Sequence, residues 1–275
     1  MDPSIRPPMY EITIITLTYN SSSYLNECLQ SVLNSILLFT RQFPSLPIQH
    51  LVVDGNSSDS TKTICSKYDN VNFCISPSKG LYPSLDYAVS IADSKYIIYV
   101  HSDDYISIGF ILHLYLSLSS DKTRIPAADV CFVDSSSNHL WSRYQPPIIP
   151  FFQRYTNLIV HPNCIYRSEC ERLFPYYSAT ERASLDWDHI NSLINSGYHF
   201  ERVPAREVKY FMRLHHLTTT SLSNRAFSNN THFLVLARNL PSTVLTVLAK
   251  LYLFTFETNK IKRVLLFLIG KRNYR

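Results

Sequence analysis

Asp103 and Asp104 stand side by side at the end of the apolar run Tyr96-Ile97-Ile98-Tyr99-Val100. A run this short, rich in β-branched and aromatic residues, reads as a strand buried on both faces. Two carboxylates at the carboxyl end of such a strand occupy the place where open α/β sheets receive their ligands. The pair repels itself and needs a positive partner, and carboxylates favour hard ions such as Mg²⁺ or Mn²⁺. The competing reading is a solvated turn with Asp as a helix cap. His215 or His216 could supply a further metal ligand, against the plainer reading of a loop histidine. A second carboxylate pair, Asp186 and Asp188, opens a predicted helix over Leu185–Gly197. Residues two apart on a helix point different ways, so only one can face a substrate while the other favours the positive end of the helix. A carboxylate held against a hydroxyl can act as general base.

The elements that must position these groups are legible upstream. Glu11–Thr18 is a β-branched run and the predicted first strand. Leu25, Cys28, Leu29, Val32, Leu33 and Ile36 then recur at helical spacing. Ile48–Val53 is the next strand, and Ile64 and Tyr68 follow at helical spacing. Val71–Ile75 is a third strand, and Pro83 suits the first turn of a helix with Leu85, Ala88, Val89 and Ala92 inside. Strand and helix alternating at this spacing predict an α/β fold: a doubly wound, mainly parallel sheet with flanking helices. Right-handed crossovers then bring the strand ends near Tyr19, Asp54 and Asp103 to one edge. Tyr19 and Asn20 are placed there to stack on or hydrogen-bond a base, or simply to turn the chain. Asp54-Gly55 is a ligand contact or a turn, and Asp59 reads as a helix cap. Past Asp104 the pattern loosens, with a helix over Ile108–Leu118, strands at Asp129–Val133, Asn163–Arg167 and Glu207–Met212, and Pro146, Pro147 and Pro150 marking a connection.

The chain has 275 residues, 45% of them hydrophobic, so it can build a sizeable core. Six cysteines without a C-x-x-C spacing, and no secretory signal at Met1–Tyr10, read as reduced thiols in a cytoplasmic chain. A net charge of +5 is too modest to argue a nucleic-acid partner, and none is expected. The basic excess sits late, at Lys260, Lys262, Arg263, Lys271, Arg272 and Arg275. Val244–Phe256 is apolar but, at thirteen residues, short of the ~20 that a spanning helix needs. Residues 226–275 therefore read as an amphipathic, basic helical tail that lies on an anionic membrane surface or packs on the domain.

The segments ITIITLTYNSSSYLNECLQSV, HLVVDGNSSDSTKTI, SPSKGLYPSLDYAVSIADSKYIIYVHSDD, HPNCIYR and LDWDHINSLINSGYHF resemble family 2 glycosyltransferases of the GT-A fold. The likeness is to the branch that builds bacterial surface polysaccharides such as colanic acid, and it covers roughly residues 10–225. It implies a catalytic domain with a nucleotide-sugar-binding half, 10–105, and an acceptor-binding half, 106–225. It also implies a nucleotide-diphosphate sugar as donor, a divalent metal, and transfer with inversion to a glycan or lipid-linked acceptor. Asp54 corresponds to a residue contacting the donor's base or ribose, Asp103 and Asp104 to the metal-binding acidic motif, and Asp186 to the general base. Lys79-Gly80 would bring a cation and a close backbone approach near the diphosphate, with a surface turn as rival reading. Ser78 stands where the family has an acidic residue, Pro83 where it has Asp, and His101 where Asp or Asn is common. Two other readings stay open: a catalytically degenerate relative that binds glycan or nucleotide-sugar, and a sugar-phosphate nucleotidyltransferase. The latter would carry a Gly-rich basic loop after the first strand, where this chain has Tyr-Asn-Ser-Ser-Ser. The expected place of work is the cytoplasm, free or peripheral on the cytoplasmic face of the inner membrane.

Overall fold

The computed structural model describes residues 8–149, 153, 158–175, 185–205, 207–214 and 247. His215, His216 and, but for Val247, the 226–275 tail lie outside them.

Strand β1 (Tyr10–Thr18) is the centre of the main sheet. It pairs in parallel with β2 (Ile48–Asp54) on one side and with β4 (Ser94–Tyr99) on the other, and β2 pairs in parallel with β3 (Val71–Ile75). The order is β3-β2-β1-β4-β9, with β9 (Ile165–Arg167) antiparallel at the far edge. Alternate side chains of a strand point to opposite faces. Ile12 and Ile14 accordingly join one core with Cys28, Val32 and Phe39 of helix α1 (Leu25–Gln42) and Phe110 and Leu114 of α4 (Phe110–Leu116). Ile15 joins the other, with Leu85, Ala88 and Val89 of α3 (Leu81–Ile91). Both faces of the central strands are therefore covered, which is why these strands read as unbroken apolar runs.

The helices differ from expectation in several places, among them α4, which keeps only Phe110–Leu116 of the expected Ile108–Leu118. Helix α1 runs a turn and a half past Ile36, because Phe39 continues the buried stripe. Helix α2 (Thr61–Cys65) stops before Tyr68, whose hydroxyl instead donates to the Asn26 carbonyl at 3.1 Å. Gly80 caps α3 at φ 102°, a conformation that glycine adopts without steric cost, and Pro83 sits in the first turn.

The second half adds β5 (Tyr105–Ile106), β6 (Arg124–Ala127), β7 (Asp129–Val133), β8 (His139–Arg143), α5 (Ser168–Leu173), α6 (Leu185–Asn195), β10 (His199–Arg202) and β11 (Lys209–Arg213). Strands β5-β11-β7-β8 form a second sheet, and β10-β6 a parallel ribbon. Helix α6 ends where Tyr198 N–H reaches the Leu193 carbonyl and Gly197 takes φ 90°, a glycine-closed terminus. The halves share strands, since β9 completes the main sheet begun by residues 10–105.

Candidate active site

The chain winds from β1 out to β3, then crosses back to β4 on the other side of β1. The order therefore reverses between β1 and β4, and the crevice beyond their carboxyl ends is where such sheets bind ligands.

The β1/β2 side of this crevice is knitted from short polar residues. The Thr18 hydroxyl donates to Asp54 Oδ1 at 2.7 Å, and the Ser57 N–H to Asp54 Oδ2 at 2.7 Å. Asp54 is only 3% exposed, so its carboxylate joins the two strand ends. Asn20 holds φ 50°, its N–H donates to Ser57 Oγ at 2.8 Å, and its side-chain oxygen accepts from Ser58 N–H at 2.9 Å. Tyr19 is 68% exposed. A Cβ on Gly55 would stand 3.3 Å from its ring, so glycine lets the ring lie against the backbone. Asp59 is not the cap of α2, which is Ser60; it stands one residue before it and accepts from Thr61 N–H and Ser22 N–H, both at 3.0 Å. The Thr61 hydroxyl first, then Ser22, holds its carboxyl below the usual range. Lys79 is exposed on the loop from β3 to α3, at the same edge but two strands from β1.

Beyond β4 the chain makes the acidic turn His101-Ser102-Asp103-Asp104, closed by Asp104 N–H on the His101 carbonyl at 3.0 Å. Ser102 Oγ lies 2.9 Å from Ser21 Oγ, joining this turn to the one after β1. The second sheet then grips it. The Tyr210 hydroxyl donates to Asp104 Oδ2 at 2.8 Å and accepts from His101 N–H at 3.0 Å. Arg213 N–H donates to Asp104 Oδ1 at 2.6 Å, and its Nε to the Asp103 carbonyl at 2.9 Å. The same guanidinium reaches the Asp134 and Ser135 carbonyls and Ser137 Oγ, pairs with Glu27 of α1, and stacks over Tyr24 at 4.3 Å.

Asp103 is half-buried and Asp104 buried. Burial first, then the charge of Asp103, pushes the Asp104 carboxyl well above the usual carboxylate range. Asp104 gives its oxygens to Tyr210 and the Arg213 N–H, with Asp103 half-buried beside it, and adjacent carboxylate oxygens of this kind are the donor type that suits a hard divalent cation. The third proposed ligand, His215, lies outside the described residues.

Asp186 and Asp188 part company in the first turn of α6. Asp188 is exposed, whereas Asp186 is half-buried. Burial first raises the Asp186 carboxyl, against the Trp187 N–H and the field of His101, which lower it. One turn on, His189 bonds Glu171, which accepts from Tyr99 at the end of β4, so the start of α6 lies near the carboxyl end of that strand. The structure thus gathers Tyr19, Asn20 and Asp54 on one side of the switch point and Asp103, Asp104 and Asp186 on the other. Lys79 stands apart from both.

Sequence reasoning missed Tyr210 and Arg213, which hold the acidic turn, and a buried group of Tyr99, His161, Glu171 and His189 behind it. Arg213 and His161 sit inside stretches that the family resemblance covers. Nothing in the periodicity marked Glu171, because a charged residue in a helix is expected outside unless paired.

A doubly wound, mainly parallel sheet with helices on both faces and a crevice at its switch point is the GT-A architecture of sugar-transferring enzymes. The family model "Glycosyl transferase family 2" matches residues 13–201, and the chain belongs to that family. It is 34% identical over 104 residues to the poly(ribitol-phosphate) beta-N-acetylglucosaminyltransferase TarS of Staphylococcus aureus, covering 36% of this chain and 17% of that protein. It is 32% identical over 112 residues to the poly(ribitol-phosphate) beta-glucosyltransferase of Bacillus spizizenii, covering 38% and 17%. The crystal structure of S. aureus TarS 1–349 in complex with UDP shares the fold, with TM-score 0.54 and 18% identity over 74% of this chain and 60% of that one. The complex of the same protein with UDP-GlcNAc gives 0.52, 17%, 78% and 60%. The chain spans about a sixth of the length of the two curated relatives described here.

Proposed function

We propose that this chain is an inverting, metal-dependent glycosyltransferase. It moves a sugar from a nucleotide-diphosphate donor to a hydroxyl of a glycan or lipid-linked acceptor in surface-polysaccharide synthesis. The observation that carries the reading is the acidic turn at the sheet's switch point, joined through Ser102 to Ser21 on the β1 side.

In this reading the exposed Tyr19 ring and the Asn20–Asp54 rim receive the nucleotide, and Lys79 lies further along the same edge toward the phosphates. Asp103 and Asp104 would hold Mg²⁺ or Mn²⁺, which supplies charge neutralisation for the departing diphosphate. Asp186 accepts the proton of the acceptor hydroxyl as its oxygen attacks the anomeric carbon. The bond from that carbon to the diphosphate oxygen breaks, the electron pair leaves with the nucleotide, and attack from the opposite face inverts the centre. A raised carboxyl pKa suits this role, since a base works best with its pKa near the working pH.

The relatives support the choice of substrates to try first. TarS is solved with UDP and with UDP-GlcNAc, so uridine diphosphate sugars head the donor panel. Poly(ribitol-phosphate) enzymes among the relatives put polyol-phosphate polymers first among acceptors. The test is turnover of labelled nucleotide-sugars with Mn²⁺ or Mg²⁺, with and without chelator. Binding of donor without any transfer across the panel would favour the degenerate, binding-only reading.

Among the described residues no helix is long and apolar enough to cross a membrane. Peripheral contact of the basic tail with anionic lipid at the cytoplasmic face is our reading of residues 226–275. Salt-sensitive co-sedimentation with anionic vesicles tests it, and equal sedimentation of a chain ending near Arg225 would sink it.

A further inference from the structure

Helix α6 carries a second polar group, one turn beyond Asp186 and hidden from solvent. His189 is 4% exposed and Glu171 of α5 is 1% exposed. His189 Nδ1 lies 2.7 Å from the Phe174 carbonyl, and its Nε2 lies 3.0 Å from Glu171 Oε1. Two acceptors facing two ring nitrogens require two ring protons, so the pair is an imidazolium against a carboxylate. Burial pushes Glu171 up, but the charge and hydrogen bond of His189 outweigh it and hold the carboxyl at about 2. Burial likewise lowers His189, and the Glu171 carboxylate outweighs it, so the imidazole is raised.

The network continues to the sheet. Glu171 Oε2 accepts from the hydroxyl of Tyr99, the last residue of β4. The Tyr99 ring stacks on His161 at 4.5 Å, and the Tyr166 hydroxyl donates to the His161 carbonyl at 2.9 Å. One end of this chain of contacts is thus four residues from Asp103, and the other is three residues from Asp186. Buried ion pairs are weak as sources of stability and are better explained where they specify an arrangement. Here the arrangement is the separation between the start of α6 and the end of β4.

We propose that Tyr99, Glu171 and His189 are positioning residues for glycosyl transfer, locking the helix that carries Asp186 to the strand that carries the acidic turn. The proposal rests on the reading of Asp186 as general base. His161, Glu171 and His189 also bring ligand atoms within 4.8 Å of one another, a spacing open to a metal ion. With both ring nitrogens of His189 donating, that residue has no lone pair for a metal, and the ion pair is the better account.

The experiment is a double-mutant analysis on the full chain. Glu171→Gln removes the charge with little change of shape, and Tyr99→Phe removes one hydroxyl and keeps the ring packing if the first variant folds poorly. Each is made alone and with Asp186→Asn, and kcat, donor KM and bound zinc are measured. A displacement of about 1 Å at the base costs ~10²-fold, so Glu171→Gln should lower kcat by roughly that factor and Tyr99→Phe by about ten. Donor KM should stay within about twofold, and neither change should lower the residual rate of Asp186→Asn further, because both act through that carboxylate. Multiplicative losses in the Asp186→Asn background would overturn the positioning role while leaving the base intact. So would unchanged kcat in both single variants, or one equivalent of zinc that Glu171→Gln releases. Full turnover in Asp186→Asn alone would remove the base assignment, and the positioning role with it.

Discussion

The two sides of the switch point are held together in different ways. On the β1/β2 side, Thr18, Asn20, Asp54, Ser57 and Ser58 bond one another across 36–38 residues of chain, within one β-α-β unit. On the β4/α6 side, the partners of the acidic turn come from Tyr210 and Arg213, more than 100 residues later. The first side closes by itself, with hydroxyls and backbone amides as neighbours. The second exists only after β11, α5 and α6 have packed, and it uses buried charges. Changes in the second region should therefore reach catalysis and stability together, while changes in the first should stay local.

The largest expected effect lies at the carboxylates of the second side. Asp186→Asn should keep donor binding and lose turnover by ~10²–10⁴-fold. If Asp188→Asn gives that phenotype and Asp186→Asn does not, the exposed carboxylate is the base. Asp104→Ala should abolish transfer and metal-dependent nucleotide binding, and undiminished binding in that variant would end the metal assignment. Because it also strands the Tyr210 hydroxyl and Arg213 N–H, this variant should melt lower as well.

Arg213 tests the long-range side without removing a carboxylate. Its buried guanidinium joins the acidic turn, the loop after β7 and α1, so Arg213→Met removes its bonds to Glu27 and to the Asp103, Asp134 and Ser135 carbonyls while Tyr210 and the residue-213 N–H still hold Asp104. Glu27 is 43% exposed, so its ion pair counts for little, but leaving the backbone carbonyls without their donor costs about 3 kcal/mol, and thermal melting should fall by roughly 10 °C. A melting point within a degree or two of the parent would show that the second sheet does not clamp the turn.

This division also explains what could be read in advance. Strands β1 to β4 were legible because each is a largely apolar run bounded by turn residues, and the meeting of their carboxyl ends at one edge follows from the crossover rule, whereas their order 3-2-1-4 came from the structure. Asp103, Asp104 and Asp186 stood out as acidic residues at element ends. The two-residue β5, the Pro-bearing β6 and the largely exposed β10 were not legible, since none presents a clean alternation. Tyr210 and Arg213 fall in a recognisable strand, but their partners lie so far back in the chain that no local pattern points to them.

Histidines on the two sides should make stability depend on pH. His50 of β2 and His161 are buried, and burial lowers each from 6.5 to about 3. Above pH 6.5 both are neutral whether folded or unfolded. Below it the unfolded chain takes up protons that the folded chain refuses, so stability is lost progressively between 6.5 and about 3. The raised His189, Asp104 and Asp186 act the other way as pH falls, so the test is a difference: between pH 7 and 5 the melting temperature of His50→Gln should change in the stabilising direction relative to the parent. A slope unchanged in that variant would assign the effect to other groups.

The smallest effect should come from the first side. Thr18→Val removes one hydroxyl from Asp54, which keeps the Ser57 N–H at 2.7 Å and the Ser57 hydroxyl at 2.5 Å. Losing one of three donors costs about 1 kcal/mol, or ~2–4 °C of melting temperature. Since the remaining bonds lie within the same unit, donor KM and kcat should stay within about twofold. Tenfold slower turnover in Thr18→Val would mean that the β1/β2 rim is coupled to Asp186 after all, and that the local closure seen here does not insulate the nucleotide side from the chemistry.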